Sequence, residues 1–149
     1  MATTIDDATL TVTVNEDVKL NGHQVGSRVT HSIPNVNEAS RRVFTVPTYE
    51  TEILALSSSA GAGTYVTSNL QYVRITNLDD TNFVRIAFVS GALNRYDMKL
   101  PAKRSAIFTS PSVSGSAAGA AFDSFVDFTS MKASADSSAV DIELFVAST

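Results

Sequence analysis

The 149-residue chain has no cysteine and no tryptophan. Without cysteine there is no disulfide scaffold, no thiolate-held zinc and no thiol nucleophile. Basic residues are few. Eleven Lys and Arg against fifteen Asp and Glu leave a formal net charge of −4, which lacks the electrostatic footprint of a general nucleic-acid binder. Long apolar runs are missing as well, and none approaches the roughly 20 residues that span a bilayer. The opening Met-Ala-Thr-Thr-Ile-Asp-Asp has neither the basic nor the apolar region of a secretory signal, and no N-x-[ST] sequon occurs. The expectation is a soluble chain with no membrane or nucleic-acid partner, made and used without Sec-type secretion.

What remains is a strand-forming chain. Hydrophobic residues make up 44%, a globular composition, and the length suits one domain over 1–149. Leu10, Val12 and Val14 alternate with threonines. Val140, Ile142, Leu144 and Val146 alternate with Asp141 and Glu143. This period of two marks half-buried strands. Further runs predict strands around residues 17–21, 25–33, 40–46, 51–56, 70–77, 82–89, 95–100, 104–109 and 122–132. "YETEILAL", Tyr49 to Leu56, is the best helix candidate, but it alternates equally well and is read as a strand. Asn21-Gly22 favours a tight turn, since both residues tolerate positive φ. "SSSAGAG" (57–63) and "SVSGSAAGAA" (112–121) read as loops. So many short, evenly spaced strands predict an all-β fold, an antiparallel β-sandwich, jelly-roll-like, with closure into a barrel as the alternative that alternation does not separate.

"VRITNLDDTNFVRIAF", residues 73–88, reads as a hairpin with Asp79 and Asp80 at its tip. With Leu78 to Thr81 as the loop, Arg74 falls opposite Arg85. Two like charges so placed are mildly destabilising and call for a carboxylate, from within the chain or from a neighbouring subunit. "LDDTN" lacks the spacing and distal glutamate of an EF-hand, so the two aspartates are assigned to turn formation. No metal or other cofactor is expected. His23 and His31 cannot make a zinc site without a third ligand, and no G-x-S-x-G elbow marks an activated serine. Gly61-Ala-Gly63 lacks the ending of a phosphate loop. The doublets Arg41-Arg42 and Lys103-Arg104, if in strands, project to opposite faces. Phe122 and Phe128 share one parity while Phe125 lies on the other, so that strand is central in the sandwich or covered by a partner. Arg74, Arg85, Asp79, Asp80 and Phe125 are the candidate protein-interface residues, and no catalytic residue is assigned.

"LQYVRITNLDDTNFVRIAF", followed by "YDMKLPAKRSAIFTSP", resembles small structural proteins of tailed bacteriophages, especially those of marine phages. The shared elements are a Tyr-x-x-Ile-x-Asn-x-Asp strand and turn, here Tyr72 to Asp79, and a strand entry from Leu100 to Ser105. "VFTVPTYETEILALS" fits the same style, and the likeness covers about residues 40–110. It implies a non-enzymatic virion protein assembled in the host cytoplasm. The leading form is a capsid decoration protein, homo-oligomeric, that binds the major capsid protein or other virion proteins. A neck, tail or fibre component is the alternative. A carbohydrate-binding module and a hydrolase are the rivals from other classes. The first needs exposed aromatic platforms, and the second needs a convergent site.

Overall fold

The computed structural model describes residues 5–90, 94–109 and 128–149. Sequence reasoning places one domain over 1–149. The chain forms two compact units, Met1–Asn37 and Glu38–Thr149, and the sandwich occupies the second.

The first unit is a two-stranded ribbon. Strand β1 (Ala8–Asn15) pairs antiparallel with β4 (Arg28–Val36), and between them β2 (Lys19–Leu20) pairs with β3 (His23–Gln24). Asn21 and Gly22 form the turn between β2 and β3 with φ of 49° and 83°, the doubly positive geometry that suits the twist of a two-residue hairpin. Cross-strand pairs Leu10–Ile33, Val12–His31 and Val14–Val29 share one face. Thr9, Thr11, Thr13, Thr30 and Ser32 take the other by alternation. Between Ala8–Val36 and Leu10–Ile33 the register shifts by one residue. Asn35, at φ 60°, absorbs it as a bulge, which is also where Pro34 costs no ladder hydrogen bond. The strand expected to end at residue 33 therefore runs to Val36.

The second unit is a jelly roll. Its strands are β5 (Glu38–Val46), β6 (Thr51–Ser57), β7 (Thr64–Val66), β8 (Leu70–Asn77), β9 (Val84–Ser90), β10 (Asn94–Leu100), β11 (Ser105–Phe108), β12 (Ser130–Ala135) and β13 (Val140–Ser148). A 3-10 turn, Thr67–Asn69, precedes β8. One sheet has the order β11-β8-β13-β5 and the other β10-β9-β12-β6-β7. All pairings are antiparallel except β6 with β7. Val73, Ile75, Ile142, Leu144 and Val146 from the first sheet and Val84, Ile86, Leu54 and Met131 from the second form one buried core. Alternation accounts for most of it, because each strand sends every second residue inward.

Three features depart from the sequence reading. Residues 73–88 form an arch, not a hairpin, since β8 and β9 belong to different sheets. Both geometries need the same alternation. In an arch the apolar rows face each other across the sandwich, about 10 Å apart, instead of lying side by side. Second, Ile53 and Leu54 are both buried, against alternation. A register shift opposite Met131–Lys132 leaves β6 one residue longer there, and such a bulge turns neighbouring side chains to the same side. Third, strand β7 follows Gly63, at φ 76°, where no strand was expected. The segment read as a strand over 122–132 contains β12 from Ser130. Residues 122–127, with Phe122 and Phe125, lie outside the described residues. Phe128 is buried against the Phe88 ring at 5.7 Å.

Candidate functional site

The arch separates the two arginines. Arg74 lies on the outer face of the four-stranded sheet and Arg85 on the outer face of the five-stranded one, so their expected juxtaposition does not exist. Each nevertheless has the acid that its charge calls for, supplied from within the chain.

On the four-stranded sheet, β13 runs between β8 and β5. Phe145 stands between Arg74 and Arg41 in one row, and Glu143 stands between Thr76 and Val43 in the next. Glu143 is 7% exposed. It accepts a hydrogen bond from Arg74 Nη2 at 2.5 Å and one from Arg41 Nε at 2.7 Å. Arg74 Nη1 also donates to Thr76 Oγ1 at 2.9 Å. The Arg41 hydrogen bond, with help from Arg74, outweighs burial and holds the Glu143 carboxyl below its ordinary range. The Tyr72 ring meets Phe145 edge-on at 5.7 Å, and burial pushes its hydroxyl up. Val43 and Ile107, on the same face, remain exposed at 57% and 41%.

On the five-stranded sheet, Arg85 is paired directly with Lys99, so a like-charge pair does occur, with a different partner. Two contacts relieve it. Arg85 reaches diagonally to Asp97 at 3.3 Å. Lys99 places its ammonium 4.2 Å from the centre of the Phe83 ring, a cation–π contact. Arg95 binds Asp97 and Glu50, each at 2.5 Å, and Glu50 also meets Lys132 at 3.5 Å. The hydrogen bond to Asp97 leads in raising the Arg95 guanidinium pKa. These chains form a half-exposed network in which no charge stands alone.

The acidic loop is a turn, as its residue types suggested. Asp79 accepts the backbone N–H groups of Asn82 at 2.6 Å and Thr81 at 2.7 Å. Those two bonds hold its carboxyl below the ordinary range. Asp80 pairs with Lys103 at 2.5 Å. Lys103 sits in a turn at φ 57°, not in a strand, so the opposite-face argument holds only for Arg41-Arg42. Beneath the loop lies Asn77, fully buried. Its Nδ2 donates to the carbonyls of Asn82 at 2.9 Å and Leu100 at 3.2 Å, and its Oδ1 accepts the N–H of Asp79 at 2.9 Å. Sequence reasoning passed over Asn77 and Glu143. A polar residue at an inward parity, and an acid facing two arginines far away in sequence, were the available signals. His23 and His31 are exposed. Among the described residues no group of three His, Asp or Glu stands where it could hold a metal ion.

Asp79 and Glu143 both have folded pKa values below their unfolded ones. Their contribution is complete above the ordinary carboxylate range, near pH 4, and is lost as pH falls through the depressed values. Melting temperature should therefore drop between about pH 5 and pH 2. In Glu143→Gln that acid slope should be shallower. An unchanged slope would remove Glu143 from this account.

Comparison with known proteins gives little. No family model matches the chain, and no curated protein matches it. A solved structure described as Bacillus endospore appendages, a family of disulfide-linked pili, aligns at 12% identity. The alignment covers 75% of this chain and 85% of that one, with a TM-score of 0.46.

Proposed function

We propose that this chain is a non-enzymatic structural protein that works by assembly. Its finer form is a phage virion component, first of all a capsid decoration protein bound to the major capsid protein. The observation that carries the assembly reading is the N-terminal ribbon. Its long strands β1 and β4 bury only Val12 and Val36 among their apolar side chains, and a two-stranded ribbon alone is marginally stable in water. Among the described residues, six of the eleven exposed large apolar side chains, Ile5, Val14, Val18, Leu20, Val25 and Val29, belong to it, although it is the smaller of the two units. The virion form rests on the resemblance of residues 40–110. A lattice partner would add avidity without strong single contacts.

Mass spectrometry of purified particles tests the finer reading. The chain should be present in many copies per particle, and its confinement to the soluble fraction would remove the virion assignment. Arg85→Glu probes the interface directly. Arg85 is 57% exposed at its side chain, and exposed pairs contribute up to about 1 kcal/mol. The variant should therefore melt close to the parent, while its occupancy on particles falls. Normal occupancy would leave Arg85 as a solvated partner of Asp97 alone. A second reading, a carbohydrate-binding module, is favoured by Tyr49 and Tyr96, whose exposures of 72% and 61% offer aromatic faces. A glycan array separates the two.

A further inference from the structure

We infer that Asn21 is a self-modifying position. Its side-chain amide is lost spontaneously, with water as the only co-reactant, and the turn of the ribbon becomes a mixture of isoaspartate and aspartate. The inference is independent of the assembly reading, and its test needs no particle.

Sequence gives the first argument. Asn21 is followed by glycine, and the other seven asparagines are followed by Glu, Val, Leu, Phe or Arg. The reaction begins when the next backbone nitrogen attacks the asparagine Cγ. A side chain on that next residue crowds the approach, and glycine has none. Structure gives the second argument. Asn21 and Gly22 are both exposed, and a Cβ added at Gly22 would meet nothing within 4 Å. The Asn21 amide makes no hydrogen bond among the described residues, whereas the amide of Gln24 donates to Asp17 at 2.9 Å.

The atoms balance as follows. Gly22 N gives its proton to a solvent base and bonds to Asn21 Cγ. The Cγ–Nδ2 bond breaks and the nitrogen leaves as ammonia, closing a five-membered succinimide. Water then opens the ring, at Cγ to give aspartate or at the main-chain carbonyl to give isoaspartate. No electrons are transferred. The attack needs rotation about the Cα–C bond of Asn21, which the closed turn restrains. That restraint is slight. Two residue pairs, Lys19–Gln24 and Leu20–His23, close the hairpin, with the Val25 N–H bonded to the Val18 carbonyl at 2.9 Å below them. So short an exposed pairing opens locally at small cost. The product does not return to the same turn. Isoaspartate adds a methylene to a two-residue loop whose φ values match the strand twist, and either product adds one negative charge at the tip.

The test ages the purified full-length protein in mildly alkaline buffer and digests it with trypsin, beside a fresh sample that sets the background. The peptide Leu20–Arg28 carries Asn21 as its one asparagine. It should gain the mass of an amide-to-acid exchange and split into two chromatographic forms of equal mass. The folded chain should react no more than about tenfold slower than the same chain in urea, because the hairpin opens without global unfolding. Asn21→Gly keeps residue types that suit a doubly positive turn and removes the amide. It should fold, show no mass gain, and keep its mobility in native electrophoresis while the aged parent becomes more acidic. Survival of the amide in the folded chain but not in urea would overturn the proposal. So would a mass gain located at Gln24, or one that persists in Asn21→Gly.

Discussion

A chain lacking residues 139–149 should not fold. Strand β13 is central in its sheet, hydrogen-bonded to β8 on one side and β5 on the other. Val140, Ile142, Leu144, Val146 and Ala147 are at most 1% exposed. Burial of a large aliphatic side chain contributes about 1.5–3 kcal/mol. Four such side chains together rival the whole stability of a domain, about 5–15 kcal/mol. The loss also opens β8 and β5 to solvent along their lengths. Circular dichroism should show no cooperative thermal transition. A melt near the parent temperature would refute the placement of this strand.

Asn77→Leu should be a strongly damaging single substitution. Leucine fills similar space, so no large cavity is expected. The cost comes from the groups left behind. The carbonyls of Asn82 and Leu100 lose their donor and the Asp79 N–H loses its acceptor. Each buried polar group left unsatisfied costs about 1–3 kcal/mol. A loss of roughly 3 kcal/mol or more is expected in urea unfolding. Asn77→Ser, which keeps some bonding capacity, should lie between. A change under about 1 kcal/mol for Asn77→Leu would mean that the arch is held by its backbone, as in the Asn77 N–H bond to the Arg104 carbonyl at 2.9 Å.

Much of the sandwich was legible from alternation, because burial of one sheet face imposes period two on the sequence. Val140 to Val146 shows this most clearly, and "YETEILAL" resolved correctly as a strand. Asn21-Gly22 was legible because backbone sterics restrict its φ values. What alternation does not encode is which strand lies beside which. The arms of residues 73–88 alternate identically in a hairpin and in an arch, and only the sheet assignment separates them. The acid that meets Arg74 was hidden for the same reason, since Glu143 lies 69 positions away. Ile53 broke alternation through a bulge, which leaves no signature in residue type. The turn role of Asp79 was readable because its bonds are local, to residues two and three positions on. Phe125 lies outside the described residues.

The pairing of β5 with β13 also sets a timetable for synthesis. Arg41 and Glu143, which meet across that pair, are 102 positions apart. At about 5–20 residues per second, the ribosome needs roughly 5–20 s to pass from one to the other. From the completion of β8 at Asn77 onward, β5 and β8 have both been made while the strand that belongs between them does not yet exist. Their apolar faces are then available to chaperones or to other nascent chains. Such distant pairings also slow closure once the chain is complete, into the range of milliseconds to seconds. Yield in expression should therefore respond to temperature and chaperone supply more than to the stability of the finished sandwich.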